Sequence, residues 1–211
     1  MTQQESIINY KNNIYYTDIQ YFGDIYFYFS LLKYSYINFY HERPHKKDDH
    51  ANRMSIYGPN KILNLSVPLE GGRAVKCLFK DLKIASNEPW QRVHWRSIHD
   101  SYRKAPWFEE YAPQLSAIYQ QNYKYLWDWN ICTISMALEM LRIDCVIMAD
   151  IGVEYPSIST LQEKARLKEN ALIYPPYNQV FADRLGFIPN LSIVDLLMNE
   201  GPAARDYIKN L

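Results

Sequence analysis

The first forty residues constrain the fold most, because NIYYT from Asn13, DIYFYFSLLKY from Asp24 and SYINFYH from Ser35 follow one another along the chain. The outer two are short β-branched and aromatic runs that read as strands. The middle one is apolar all round, as a buried helix is, and Gly23 breaks the chain before it. A strand, loop, helix and strand in this order favour a parallel pair joined by a right-handed crossover. This end of the molecule is therefore expected to be α/β.

Beyond it, HKKDDHAN from His45 is polar, and RMSIYGPNKILNLSVPL offers two strand candidates around the turn Gly58-Pro59-Asn60. Gly71-Gly72 marks another turn, and VKCLFKDLKI from Val75 alternates enough for a further strand. Ser86-Asn87-Glu88-Pro89 is a helix start with capping side chains and a first-turn proline. On that helix Trp90, His94, Ile98 and Tyr102 recur at spacing four, so they share an inward face and leave His99 outside. Pro106 ends it. Pro113 is expected to open a second helical stretch, in which Leu115, Ile118, Tyr119, Leu126, Trp129, Thr133, Ala137 and Leu141 form a core stripe. CVIMA from Cys145 and ALIYPPY from Ala171 are short strand candidates, with a polar, partly helical stretch from Pro156 to Asn170 between them. NLSIVDLLMNEG closes the pattern as a helix, capped by Asn190 or Ser192 and stopped by Gly201. The expectation is one domain over 13–211 after a polar lead over 1–12. Its fold class is α/β, a mixed, partly parallel sheet flanked by helices.

Lysine plus arginine and aspartate plus glutamate number 23 each, so net charge gives no reason to seek nucleic acid or an acidic membrane. The three cysteines are widely spaced in apolar runs, as buried thiols of a reducing compartment are. MTQQESIINYKNN lacks the basic and apolar regions of a signal peptide, and NICTISMALEML is too short and polar to span a bilayer. A cytoplasmic protein without membrane insertion is expected. The 19 tyrosines suit half-buried positions and ligand-facing walls, although drift of an AT-rich genome produces the same excess.

HERPH, residues 41 to 45, matches H-E-x-x-H, but that pattern grips zinc only when helical, with both histidines on one face. Here it follows a strand, and Pro44 within it pushes Arg43 out of the α region. No metal site is expected. G-x-S-x-G, G-x-G-x-x-G and the phosphate-cradling G-x-x-x-x-G-K-[ST] are all missing from the sequence.

The densest polar loop runs from His45 to Arg53, between two strands, where ligands of open α/β sheets bind. Arg53 can fork onto a phosphate or carboxylate, Lys47 can add a point charge, and Asn52 can donate to an oxyanion or sugar oxygen, unless it caps its own backbone. His94 is the candidate acid or base, with Tyr102 two turns further along the same face. A histidine on an apolar face also serves as a satisfied core residue. Asp195 interrupts an apolar helix, where it either binds a cationic group or pairs within the fold. These six residues form the candidate site, provided the loop and His94 border a common hollow.

Several stretches resemble the WbqC-like protein family of bacteria. They are IQYFGDIYFYFSLL, HKKDDHANRMSIYGPN with LNLSVPL, WQRVHWRSIHDSYRKAPWFEEY, YLWDWN and YNQVFADRLGFIPNLSIVDLLMNEGP. The resemblance covers residues 13 to 203, and departs where an aromatic residue usually sits two before the Asn52-Arg53 pair and His50 stands here. It implies a place in surface-polysaccharide or O-antigen biosynthesis and modification of an activated sugar by amino-acid or acyl transfer. It assigns no catalytic residue and no cofactor. The expected partner is a small-molecule activated sugar or acyl donor. The competing readings are a non-catalytic scaffold, which needs no enclosing hollow, and a phosphate-handling enzyme built on Tyr21-Phe22-Gly23, which has too little glycine for the task.

Overall fold

The computed structural model describes residues 13–45, 50–72, 75–148 and 172–211. The polar lead, Lys47 and the Pro156–Asn170 stretch lie outside them.

The opening unit folds as its pattern dictates. β1 (Ile14–Thr17) leads through a tight loop to α1 (Ile25–Leu31) and then β2 (Tyr36–Phe39), and the two strands pair in parallel from Ile14 opposite Tyr36 to Thr17 opposite Phe39. In the loop Phe22 and Gly23 both take positive φ, 55° and 60°. Asp24 then caps α1, its Oδ1 accepting from Phe27 N at 2.7 Å. Ile25, Phe27, Tyr28 and Leu31 are buried, whereas Tyr26, Phe29 and Ser30 on the other side are only half-buried, so the helix is not enclosed all round.

β3 (Arg53–Tyr57) and β4 (Ile62–Ser66) make a separate antiparallel pair around the Gly58-Pro59-Asn60 turn, with Arg53 opposite Ser66. β5 (Val146–Ile147) adds to the free side of β2, giving a parallel sheet in the order β1-β2-β5. The architecture is mixed α/β, with helices, a small parallel sheet and an antiparallel pair.

α2 (Trp90–Tyr102) buries Trp90, His94, Ile98 and Tyr102 as their spacing requires, although no side chain caps its start. The long helical stretch expected after Pro113 is instead two helices, α3 (Phe108–Tyr119) and α4 (Leu126–Met140), and Pro113 lies inside the first. The chain breaks between them because Ile84 N bonds to Lys124 O and Leu126 N to Leu82 O, each at about 3 Å. The core stripe nonetheless stays buried on both helices, so burial periodicity passed through a break it could not register.

VKCLFKDLKI is not a strand. Phe79–Asp81 is a 3-10 turn, and only isolated bridges flank it: Pro44 to Leu78, Leu69 to Ile84 and Lys83 to Tyr125. Its apolar residues plug the core singly, Phe79 beneath the Arg43 guanidinium at 4.6 Å, and three such plugs imitate alternation. ALIYPPY forms no strand over its described residues 172–177, where Pro175 and Pro176 lack the N–H groups a ladder needs. After α5 (Ala182–Leu185) comes α6 (Ile193–Glu200), capped by Ser192 and ended by Gly201, and then α7 (Ala204–Lys209). Every residue of α6 from Ile193 to Asn199 is buried, so this short helix lies at the centre of the molecule.

Candidate functional site

Three segments distant in sequence meet beyond the C-terminal ends of the parallel strands. The loop after β1 brings Gln20 to Asp24, the chain beyond β2 brings His50 to Ser55, and the approach to α6 brings Asn190 to Ser192. Their backbones are stitched together. Tyr21 N donates to His50 O at 3.3 Å, Ser192 N to Ser55 O at 2.9 Å and Ile193 N to Gly23 O at 2.9 Å, while Tyr26 N donates to the Asn190 side chain at 2.8 Å. Between them lies an open hollow of about 120 Å³. Polar side chains in its lining include Gln20, Asp24, His50, Arg53, Ser55, Asn190 and Ser192, at the position expected for a ligand site on an open α/β sheet.

Arg53 lines this hollow from the first position of β3. Asn52 is not among the lining residues. Its side-chain amide donates to Val67 O at 3.1 Å and its backbone carbonyl accepts from Val67 N at 2.7 Å, so it locks the turn that delivers Arg53. Asn130 supports the same turn from below, donating to Ala51 O at 2.7 Å. His50, Gln20, Asp24 and Asn190 were not singled out as binding residues from the sequence. Asp24 and Asn190 carried a visible signal, each a polar residue beside a helix start, but the signal reads as capping.

His94 is buried, only 3% exposed, and lies outside the hollow's lining. Its Nδ1 is 3.0 Å from the Tyr21 hydroxyl, which is itself 2.5 Å from the Tyr119 hydroxyl. Burial lowers the ring's pKa to about 4, against a hydrogen bond to the Ser66 backbone that favours the proton. The ring is therefore neutral at pH 7, and the bonds run one way: Tyr119 donates to Tyr21, Tyr21 to Nδ1, and the ring to Ser66. Tyr21 lines the hollow while touching His94, and Ser66, whose backbone the ring bonds, pairs with Arg53, so the histidine backs the hollow without facing it.

Tyr102 and Asp195 are brought together elsewhere. The Tyr102 hydroxyl donates to Asp195 Oδ1 at 2.7 Å, while Tyr177 and Gln179 donate to Oδ2 at 2.5 and 2.8 Å. Tyr57 N donates in turn to the Tyr102 oxygen. Desolvation raises the Asp195 pKa against the lowering effect of these three hydrogen bonds, and burial beside Asp195 drives the Tyr102 pKa well above its ordinary value. Tyr57 lies two residues beyond Ser55, and Asp195 N donates to Ser192 O at 2.9 Å, so this knot adjoins the wall of the hollow without lining it.

HERPH is extended. His45 N donates to Cys77 O, Phe79 N to Arg43 O and Lys80 N to His41 O, which lays the segment along residues 77–80 and denies the two histidines a shared helical face. Arg43 Nε meets Asp18 at 2.6 Å, an internal tie between the ends of β1 and β2. Among the described residues no group of three or more His, Cys, Asp or Glu could hold a metal ion, and no helix is long and apolar enough to cross a membrane.

Neither the curated proteins nor the solved structures give a match to the chain. One family model does match, over residues 20–169 and 161–207, and so takes in α1, the turn before β3, the buried face of α2 and the α6 segment: the chain belongs to the WbqC-like protein family.

Proposed function

We propose that the protein binds an activated sugar at the hollow bordered by Arg53 and modifies it by amino-acid or acyl transfer in bacterial surface-polysaccharide biosynthesis. The supporting observation is the convergence of Arg53, Asp24, Gln20, Ser55 and Asn190 from three segments onto one half-open hollow at the strand ends. In this reading Arg53 forks onto the anionic part of the sugar. Asn52 holds Arg53 in place. His94, neutral and reached through Tyr21, orients that tyrosine against the ligand, while Tyr102 and Asp195 anchor the far end of β3.

The reading is tested by thermal shift against nucleotide sugars, acyl donors and plain nucleotides. A sugar present at one hundred times its Kd stabilises the protein by about 2.7 kcal/mol, and Arg53→Ala removes that gain. A non-catalytic scaffold is the second reading, favoured by a hollow smaller than the roughly 300 Å³ of ordinary enclosing sites. Silence across the whole panel selects the scaffold.

A further inference from the structure

The β3–β4 hairpin leaves a short stretch of backbone unanswered. Gly58 N donates to Lys61 O at 3.0 Å and Val67 N to Asn52 O at 2.7 Å, which fixes the alternation of the antiparallel ladder between them. Met54 therefore exchanges bonds with Leu65 and Ile56 with Leu63, while Arg53, Ser55, Tyr57, Ile62, Asn64 and Ser66 turn their N–H and C=O groups away from the hairpin. On β3 this outward side is met: Ser55 O accepts from Ser192 N at 2.9 Å, and Tyr57 N donates to the Tyr102 hydroxyl at 3.0 Å. On β4 the His94 ring reaches the Ser66 backbone. Ile62 and Asn64 are left, with no partner for their outward backbone groups among the described residues, and both are exposed, Ile62 by 40%. The strand also lacks the devices that blunt an edge, since ILNLS carries no charge, no proline and no bulge.

We propose that this edge pairs with the same edge of a second copy, β4 running antiparallel to β4 of its partner about a two-fold axis at Leu63. This register sets Ile62 opposite Asn64 of the partner and Asn64 opposite Ile62 of the partner, each pair exchanging both of its bonds. A slip of one residue sets them against groups already used inside the hairpin. A slip of two brings in either the turn at Asn60 or Ser66, which His94 already holds. The edge is thus its own complement in a single register, which is what selects a second copy as the occupant. Half-buried Leu63 meets its counterpart at the axis and adds an apolar contact. The two hairpins become one four-stranded antiparallel sheet. The axis stands normal to that sheet, so the face that Arg53 and Ser55 share points the same way in both protomers and the two hollows lie side by side.

The test is sedimentation velocity over about 5 to 500 µM, a range wide enough for a short and weak interface. The wild-type protein is expected to pass from monomer to dimer. Asn64→Pro deletes only an outward N–H, so the hairpin ladder survives and the protein should stay monomeric with an unchanged far-UV spectrum. Asn64→Ala loses the side-chain oxygen that accepts from the Ser55 hydroxyl but retains the N–H, and should dimerise as the wild type does. Amide hydrogen exchange of the wild-type protein reads the same edge without a substitution: the Ile62 and Asn64 amides should be about tenfold or more better protected at the high concentration than at the low one. A protein monomeric throughout, a dimer that survives Asn64→Pro, or amides of Ile62 and Asn64 that exchange equally fast at both concentrations would each overturn the proposal. A dimer lost equally in Asn64→Ala overturns backbone pairing as its cause.

Discussion

At pH 7 the His94 ring is neutral and makes the middle link of a hydrogen-bond chain, which gives its titration a definite sign. Its folded pKa is depressed to about 4 from an ordinary 6.5, so above pH 6.5 neither state holds the extra proton and the contribution is complete. As pH falls from 6.5 toward 4 the unfolded chain takes up a proton that the folded chain refuses, and about 3 kcal/mol of stability is lost. Urea unfolding at pH 7 and 4.5 should show this slope, and His94→Gln should flatten it. Asp195 works in the opposite direction. Burial raises its pKa, so the folded state binds a proton first and this group adds stability as pH falls through its folded pKa. Asp195→Ala leaves Tyr102, Tyr177 and Gln179 without their acceptor inside the core, and chemical denaturation should register a cost of about 3–5 kcal/mol. Asp195→Asn, which retains one acceptor oxygen, should cost clearly less.

Among the elements, the stop of α6 tolerates change least. Gly201 has φ 55° and ψ −127°, and an added Cβ would lie 2.2 Å from the Trp107 ring. Gly201→Ala therefore combines backbone strain with a clash against a ring anchored by Trp107 N donating to Met198 O, and should lower stability by about 2–4 kcal/mol, read as a shift in the urea midpoint. That Gly201 stops this helix is plain from the sequence, because a glycine after an apolar run has one common use. The inward face of α2 was equally legible: four residues at spacing four mark one face of a helix whatever packs against it. The parallel pairing of β1 with β2 followed from the helix between them. The break between α3 and α4 was hidden, since Tyr119 and Leu126 lie seven residues apart and keep helical phase across it. The strand expected at Val75 was illusory for a related reason, as burial of Phe79, Leu82 and Ile84 records depth and not hydrogen bonding. Of the candidate site, Arg53 could be read because a charged residue before a strand stands out. The contributions of Gln20, Asp24 and Asn190 could not, because they emerge only when three segments far apart in the chain meet.

One continuous core joins α1, the buried faces of α2 to α4, α6 and β2, and the small sheets offer no seam along which it divides. Far-UV circular dichroism and tryptophan fluorescence should therefore report one coincident unfolding transition, whereas separated midpoints would reveal independent units. The hollow belongs to this scale, since its walls come from residues 20–24, 50–55 and 190–192. A ribosome that has released Arg53 has made two of those walls, and the third is still well over a hundred codons away. The nascent protein has no place to hold a ligand until Ser192 leaves the exit tunnel. Binding at this hollow must therefore wait until all three segments have been made.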